Sequence, residues 1–433
     1  MAIFSSLSRQ QKEAVGLLQA GTFLEYFDLM LYVHMAVLLN ELFFPKVDPR
    51  TASLLSAFTF CTTFALRPVA ALLFGWIGDT FGRKPTVIIT SLMMALSCII
   101  MATLPPYVQI GITASYLMIL CRVLQGFSSI GEIISAKTYL VETFQPPMRY
   151  FVTTLVSVSA ALGGTFALAI ASLFTLKGFD WRIAFWFGMS VAAIGSIARN
   201  RLRETPEFIR AKKEAVNKHF DKKTFFAYFF ISCGASVCFF IAYVYCGDIL
   251  KHTFGFTPER VIHNNFFVSL CDLGDTLIIA FCTLIIHPLK ITRIKFYAFS
   301  IFVFVLPFIL FTAKSPSYVL FVQCLIWFVS IENNPSEAIF IKHFPVLKRI
   351  TSVTFAFALA RALVYCITSF GLIYITDILG YFGLWVILLP ILIGFYWGLD
   401  HFEKLENQKQ AQFHTPHPLS TNPNELKLTA IKL

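Results

Sequence analysis

Ionisable side chains at helical spacing inside apolar stretches are where this chain could do chemistry. Gly21, Glu25, Asp28 and Tyr32 fall on one face of a helix, and Arg122, Gln125, Ser129 and Glu132 on one face of another. Arg67, Asp272, Asp275, Glu332, Glu337 and Arg361 lie in further apolar segments. An ionisable group inside a membrane is costly unless it is paired or wet, so each is a functional candidate. Two acidic stripes and three deep arginines facing a shared cavity suit a proton relay combined with an anionic or zwitterionic solute. Asp28 and Glu132 are the leading proton carriers, with Glu25 the alternative. Arg67, Arg122, Gln125, Tyr32 and Arg361 are the candidates for holding the solute. The competing expectation is that some of these groups form static ion pairs that lock helices together. Lys137, near a segment end, is expected to snorkel. Asp272 and Asp275 are read as wet and inert near the outer interface.

The elements that must position these groups follow from composition. Of 433 residues, 57% are hydrophobic and 14% charged, against roughly 45–50% and about 25% in a soluble domain. That is too little charge for soluble surfaces and too much apolar surface for disorder. With about 20 apolar residues needed per crossing, twelve spans are expected. In the first half they run Val15–Leu39, Ala52–Ile77, Thr86–Leu104, Ile112–Ala136, Phe151–Leu176 and Ile183–Leu202. In the second they run Phe225–Leu250, Val261–Ile286, Phe296–Ala313, Tyr318–Ile341, Thr351–Ile375 and Phe382–Leu399. The expected fold is therefore an all-α membrane protein of twelve transmembrane helices in two six-helix bundles, residues 1–202 and 224–400. A cytoplasmic central loop, 203–223, joins them, and a polar, disordered cytoplasmic tail, 401–433, follows. The first apolar segment is too long for a signal-peptide core and carries Glu25 and Asp28, so it is expected to remain as a span.

The net charge of +11 does not call for nucleic acid. With the N-terminus inside, Lys and Arg on the inner segments outnumber those on the outer ones by more than three to one, which places both termini in the cytoplasm. The ten cysteines form no metal-ligand or disulfide pattern, and no phosphate-binding loop or hydrolase motif occurs. Neither an enzyme nor a metal or cofactor is expected. The halves also carry a weak repeat. Phe144, Pro146 and Arg149 in one connection match Phe344, Pro345 and Arg349 in another, close to 200 positions apart. Parallel six-span repeats are the design of two-bundle carriers with a midplane site.

The connection Gly75-Trp76-Ile77-Gly78-Asp79-Thr80-Phe81-Gly82-Arg83-Lys84 resembles the GxxxD(R/K)xGRK loop of the major facilitator superfamily, with Thr80 at the usual basic position. The resemblance implies a gating loop of Gly75, Asp79, Gly82, Arg83 and Lys84. A narrower likeness is to the metabolite:proton symporter group, which contains the proline/betaine transporters. Gly21 to Asp28 is similar to its GNxxEWxD opening, and Phe64-Ala65-Leu66-Arg67-Pro68 with Phe74-Gly75 to FxxRPxGxxxFG. Arg122 to Gly126 with Gly131-Glu132 is similar to RxxQGxxxGGE, Trp181-Arg182 to its WR, and Arg203 to Phe208 to RExPEF. Thr22 replaces the family Asn, Phe357 and Ala358 stand near its YN pair, and the tail lacks a coiled coil.

The resemblance implies a monomeric, multi-pass protein of a bacterial cell inner membrane, with lipid bilayer, protons and a small organic solute as partners. Its implied activity is secondary active, proton-coupled symport of a proline/betaine-class or small carboxylate solute by alternating access. Exchange without net proton movement stays open, as does a transporter-like sensor or scaffold. Reporter fusions after Lys213 and at the C-terminal tail are both expected to read cytoplasmic, and an external signal from either contradicts the topology.

Overall fold

The computed structural model describes residues 8–45, 58, 61, 64–81, 83–129, 132–176, 180, 182–199, 206–214 and 221–414. Among them the chain is helical and contains no strand. The first half comprises α1 (Arg9–Phe43), α2 (Arg67–Thr80), α3 (Arg83–Thr103), α4 (Ile112–Ser128), α5 (Glu132–Thr143), α6 (Met148–Leu176) and α7 (Arg182–Arg199). A linker helix, α8 (Pro206–Glu214), follows. The second half comprises α9 (Lys222–Phe239), α10 (Cys246–Phe254), α11 (Pro258–Cys282), α12 (Pro288–Phe311), α13 (Pro316–Val329), α14 (Glu337–Lys342), α15 (Arg349–Leu379) and α16 (Gly383–His414). Among the described residues, seven helical runs are long and apolar enough to cross a bilayer. Shorter apolar helices at Leu92–Thr103 and Pro316–Val329 add to them.

Local chemistry sets several boundaries. Asp221 accepts from the Lys223 and Thr224 amides at the start of α9, and Ser315 from the Tyr318 amide at the start of α13. Pro258, Pro288 and Pro316 each occupy a first turn, where the missing N–H costs nothing. Between α9 and α10 the helix widens into a π-turn at Phe240–Tyr245, a deviation that often marks a functional site.

The tenth expected span is not one helix. It breaks between α13 and α14 at Ser330–Ser336. Pro335 supplies no N–H and disfavours a helical Asn334, which interrupts the ladder there. Non-helical backbone at membrane depth is tolerated only where protein buries it or where it lines a cavity. The C-terminal segment also departs from expectation, because α16 continues through His401 to His414. Arg293 grips Glu403, and Glu406 bonds His343 at 2.7 Å, tying this extension to the second bundle. The His343 bond holds the Glu406 carboxyl down at about 2. Residues 415–433 lie outside the description.

Packing joins α1 with α6, α6 with α11, α2 with α15, α9 with α16 and α3 with α7. Membrane helices approach closely through small residues, and a side chain at Gly163 of α6 would overlap the Phe23 carbonyl of α1. The outward faces are apolar, with Ile301, Phe304 and Phe308 on α12 and Ile393 and Trp397 on α16 exposed. Two bundles thus meet along α6–α11 and α2–α15, leaving a space between them.

Candidate functional site

That space is a cavity of about 130 Å³. The first half contributes Tyr26 and Met30 of α1, Phe64 ahead of α2, Lys137 of α5, and Ser157 and Thr165 of α6. The second half contributes Phe239, Tyr243, Asp272, Trp327, the broken segment at Glu332–Asn334, Glu337 of α14, and Arg361 of α15. Among the described residues α3, α7, α12 and α16 contribute nothing to it.

Lys137 and Glu337 form an ion pair across the bundle interface, and they are only 5% and 2% exposed. Glu337 Oε1 accepts from the Tyr228 hydroxyl at 2.9 Å. Asn334 Oδ1 accepts from Ser157 at 2.8 Å and lies 3.5 Å from the Lys137 ammonium, while Asn334 Nδ2 donates to Glu332 at 3.2 Å. The expectation that Lys137 snorkels is therefore overturned, because its charge is satisfied inside the protein. Asp272 lines the cavity, and Asp275, one turn along α11, pairs with Lys295 of α12 at 2.6 Å. Asp275 is thus ion-paired inside the protein and Asp272 faces the cavity between the bundles, contrary to the expectation that both stand free in water at the outer interface. Arg361 lies with its guanidinium carbon 4.4 Å from the Phe357 ring centre, a cation–π contact. Trp327 Nε1 and Asn333 Oδ1, both on the lining, have no hydrogen-bond partner among the described residues.

The repeat is physical. Arg149 Nε donates to the Phe144 carbonyl at 2.7 Å, and Arg349 Nε donates to the Phe344 carbonyl at 3.1 Å. The same five-residue tie occurs in both halves, 200 positions apart. Lys137 and Glu337 stand at the same offset, as do Glu142 and Lys342, with charge reversed at each position.

At the end of the bundles that carries α8, the halves are locked. Asp79 Oδ2 accepts from the Thr351 amide at 3.0 Å and its hydroxyl at 2.6 Å, so a carboxylate of one half caps the first turn of α15 in the other. Gly75 permits this approach, since a Cβ there would lie 2.8 Å from Thr351 Cα. Arg349 bonds Glu142 at 2.8 Å and Glu207 of α8 at 3.2 Å, and Lys342 bonds Glu207 at 2.8 Å. Burial pushes the Glu207 carboxyl up, but Lys342 and Arg349 outweigh it and hold it below its ordinary value.

Of the residues singled out in the sequence, Asp272, Glu332, Glu337 and Arg361 line the cavity. Tyr32, Arg122 and Gln125 come together inside the first bundle, off the lining. Arg122 stacks on Tyr32 at 3.4 Å from the ring centre and donates to Gln125 at 3.1 Å. Arg67 lies 4.3 Å from the ring centre of Phe64, itself a lining residue. Glu25 and Asp28 are buried off the lining, with Asp28 packed against Gly188 of α7. The side chain of Glu132, Gly82 and the side chains of Arg83 and Lys84 fall outside the described residues. Sequence reasoning passed over the roles of Lys137, Tyr228, Asn333 and Asn334. The signal for Lys137 was present in the opposite charge at its repeat position.

The family model described as Major Facilitator Superfamily matches residues 18–369. A Haemophilus influenzae protein named for metabolite transport is 35% identical over 249 residues, covering 53% of this chain and 55% of that protein. The proline/betaine transporter of Escherichia coli is 31% identical over 204 residues, covering 46% of this chain and 41% of its own length. The chain spans about half the length of the curated relatives it matches. Among solved structures, the proton:xylose symporter XylE superposes with a TM-score of 0.72 at 14% identity, covering 90% of this chain and 95% of that one. A human organic anion transporter superposes with a TM-score of 0.66 at 15% identity, covering 90% of this chain and 100% of its own.

The cap on α15 generates a direct expectation. Asp79→Ala removes both bonds to Thr351, and a lost charged cap is worth about 1–2 kcal/mol. Amide hydrogen exchange over residues 349–355 should then accelerate by roughly tenfold, with Asp79→Glu intermediate. Unchanged exchange in Asp79→Ala contradicts the capping role.

Proposed function

The chain belongs to the major facilitator superfamily, and from that premise we propose that it is a secondary active transporter coupling uptake of a small organic solute to protons. The observation that carries this reading is the cavity between the bundles. It holds both signs of charge, draws its walls from both halves, and is locked at the α8 end by Asp79, Glu142 and Arg349. Alternating access requires two bundles that rock about a fixed midplane site. Locks that exist at one end in one state and break in the other give such a motion two discrete arrangements.

The solute class follows from the walls. Tyr26, Phe64, Tyr243, Trp327 and Phe357 offer ring faces for a cationic or quaternary ammonium group. Lys137 and Arg361 offer partners for a carboxylate. A proline- or betaine-like zwitterion, or a small carboxylate, suits both, in line with the names of the relatives. Arg67, Arg122, Gln125 and Tyr32 are proposed as support for the first-bundle wall. Asp28, Glu25 and Glu132 remain the proposed relay within the first bundle. Among the described carboxylates, Glu25 and Asp28 do not line the cavity, whereas Asp272, Glu332 and Glu337 do. On this reading the protein sits in a bacterial inner membrane with both termini cytoplasmic and the α8 end facing inward, which the excess of Lys and Arg on the inner segments supports.

Purified protein in sealed vesicles, offered radiolabelled proline, glycine betaine and small carboxylates, tests the reading. Accumulation is expected only with the outside acid, and a protonophore should abolish it. Equal uptake with and without the gradient would make the protein an exchanger. No uptake of any compound would make it a non-transporting relative.

A further inference from the structure

We propose that Lys137 and Glu337 form a solute-operated latch: the carboxylate of an incoming solute takes the Lys137 ammonium, and the displaced Glu337 carboxylate takes up a proton. This rests on the transport reading above and names the groups at which solute and proton meet.

Position is the first argument. The two residues lie at equivalent places in the halves, the offset being that of the Phe144–Arg149 and Phe344–Arg349 ties. They also touch one another across the interface. Repeat-equivalent residues that meet must meet near the axis relating the two halves. A pair at that place joins the bundles where they pivot, and both of its members line the cavity.

Exchange chemistry is the second. Besides Glu337, the Lys137 ammonium approaches the Asn334 carbonyl oxygen at 3.5 Å. A solute carboxylate offers the same charge-assisted bond that Glu337 gives, so it can replace Glu337 without leaving the ammonium bare. A bare buried charge would be strongly disfavoured.

The fate of Glu337 is the third. Once released it keeps the Tyr228 hydroxyl, 2.9 Å away on α9. Besides Lys137, the other titratable or charged groups lining its cavity are Asp272 of α11, Glu332 ahead of α14, Arg361 and Tyr365 of α15, Tyr26 of α1 and Tyr243 of the π-turn. Two of these are carboxylates and one, Arg361, is a cation; what changes on release is the loss of the Lys137 ammonium, and a carboxylate that loses a cationic partner in a low-dielectric space is favoured less as the anion. The proton comes from water on the open side and forms an O–H bond on Glu337. When the solute leaves on the other side, Lys137 draws Glu337 back and the proton departs. One proton therefore travels with each carboxylate. Recognition depends on the solute's carboxylate, so choline, which keeps the quaternary ammonium of glycine betaine and lacks the carboxylate, should not operate the latch.

The test is proton uptake on binding to the purified full chain in weakly buffered detergent, using glycine betaine, proline, acetate and choline. In the wild type, binding of a carboxylate-bearing probe should take up about one proton per solute, and choline should take up none. Glu337→Gln should bind with no proton uptake. Lys137→Met should weaken carboxylate binding at least about tenfold, and Lys137→Arg should restore much of it. If a single variant fails to fold, the double variant Lys137→Met with Glu337→Met removes both charges from the interior and must show neither binding nor uptake. Wild-type binding without proton uptake, uptake unchanged in Glu337→Gln, equal responses to choline and glycine betaine, or no binding of any carboxylate each overturns the latch. Proton-coupled binding without accumulation in vesicles would defeat the transport reading and leave the latch standing. Accumulation in vesicles without proton uptake on binding would defeat the latch alone.

Discussion

A lysine and a glutamate buried against each other between two apolar bundles set the terms for the rest of this molecule. Taking either charge out of water costs several kcal/mol, which mutual attraction offsets only if the remaining donors and acceptors are also met. The fold meets them with the Tyr228 hydroxyl on Glu337 and the Asn334 carbonyl facing Lys137. Supplying Asn334 at that depth requires backbone that is not helical, and Pro335 breaks the ladder there. The irregular segment is admissible because it faces a cavity. The ion pair, the broken helix and the cavity are thus one constraint seen from three sides.

Two copies of one design carry opposite charges at matching positions. Phe and Arg recur at 144 and 149 and at 344 and 349 with the same side chain to carbonyl tie, so the two connections share a local structure. At the neighbouring positions the sign inverts, Lys137 against Glu337 and Glu142 against Lys342. Identical charges at equivalent sites would repel where the halves face each other. Reversed ones attract, and the first pair meets directly. The second meets through others, Glu142 through Arg349 and Lys342 through Glu207.

Asp79 stood out in the sequence through a loop motif whose glycines and acid stand close together, and the all-α membrane fold was legible because it rests on local pattern, apolar runs of bilayer length. The break at Ser330–Ser336 was not, since hydropathy averages over one proline and two asparagines. Lys137 was misread because its partner lies 200 residues away, and nothing local to Asp275 announces Lys295, which reaches it from α12. The extension of α16 to His414 was hidden for a related reason, since polar residues on a helix look like a solvated tail until Arg293 and His343 supply their partners. Helical spacing put Arg122 and Gln125 on one face of one helix and Tyr32 on a face of another, yet spacing gives only a face and says nothing about which faces meet or which side of the bundle they line.

The claim that this pair joins the halves at their repeat-equivalent positions is tested most directly by a charge-exchange cycle on thermal stability. Lys137→Glu and Glu337→Lys each place like charges together in the interior, and each should lower the melting temperature of the purified protein sharply. Combined, they restore an ion pair between the same two positions, so the double variant should recover most of the loss, a coupling of about 3 kcal/mol. A double variant as unstable as the sum of the two singles would show that the residues do not meet, and would contradict the account.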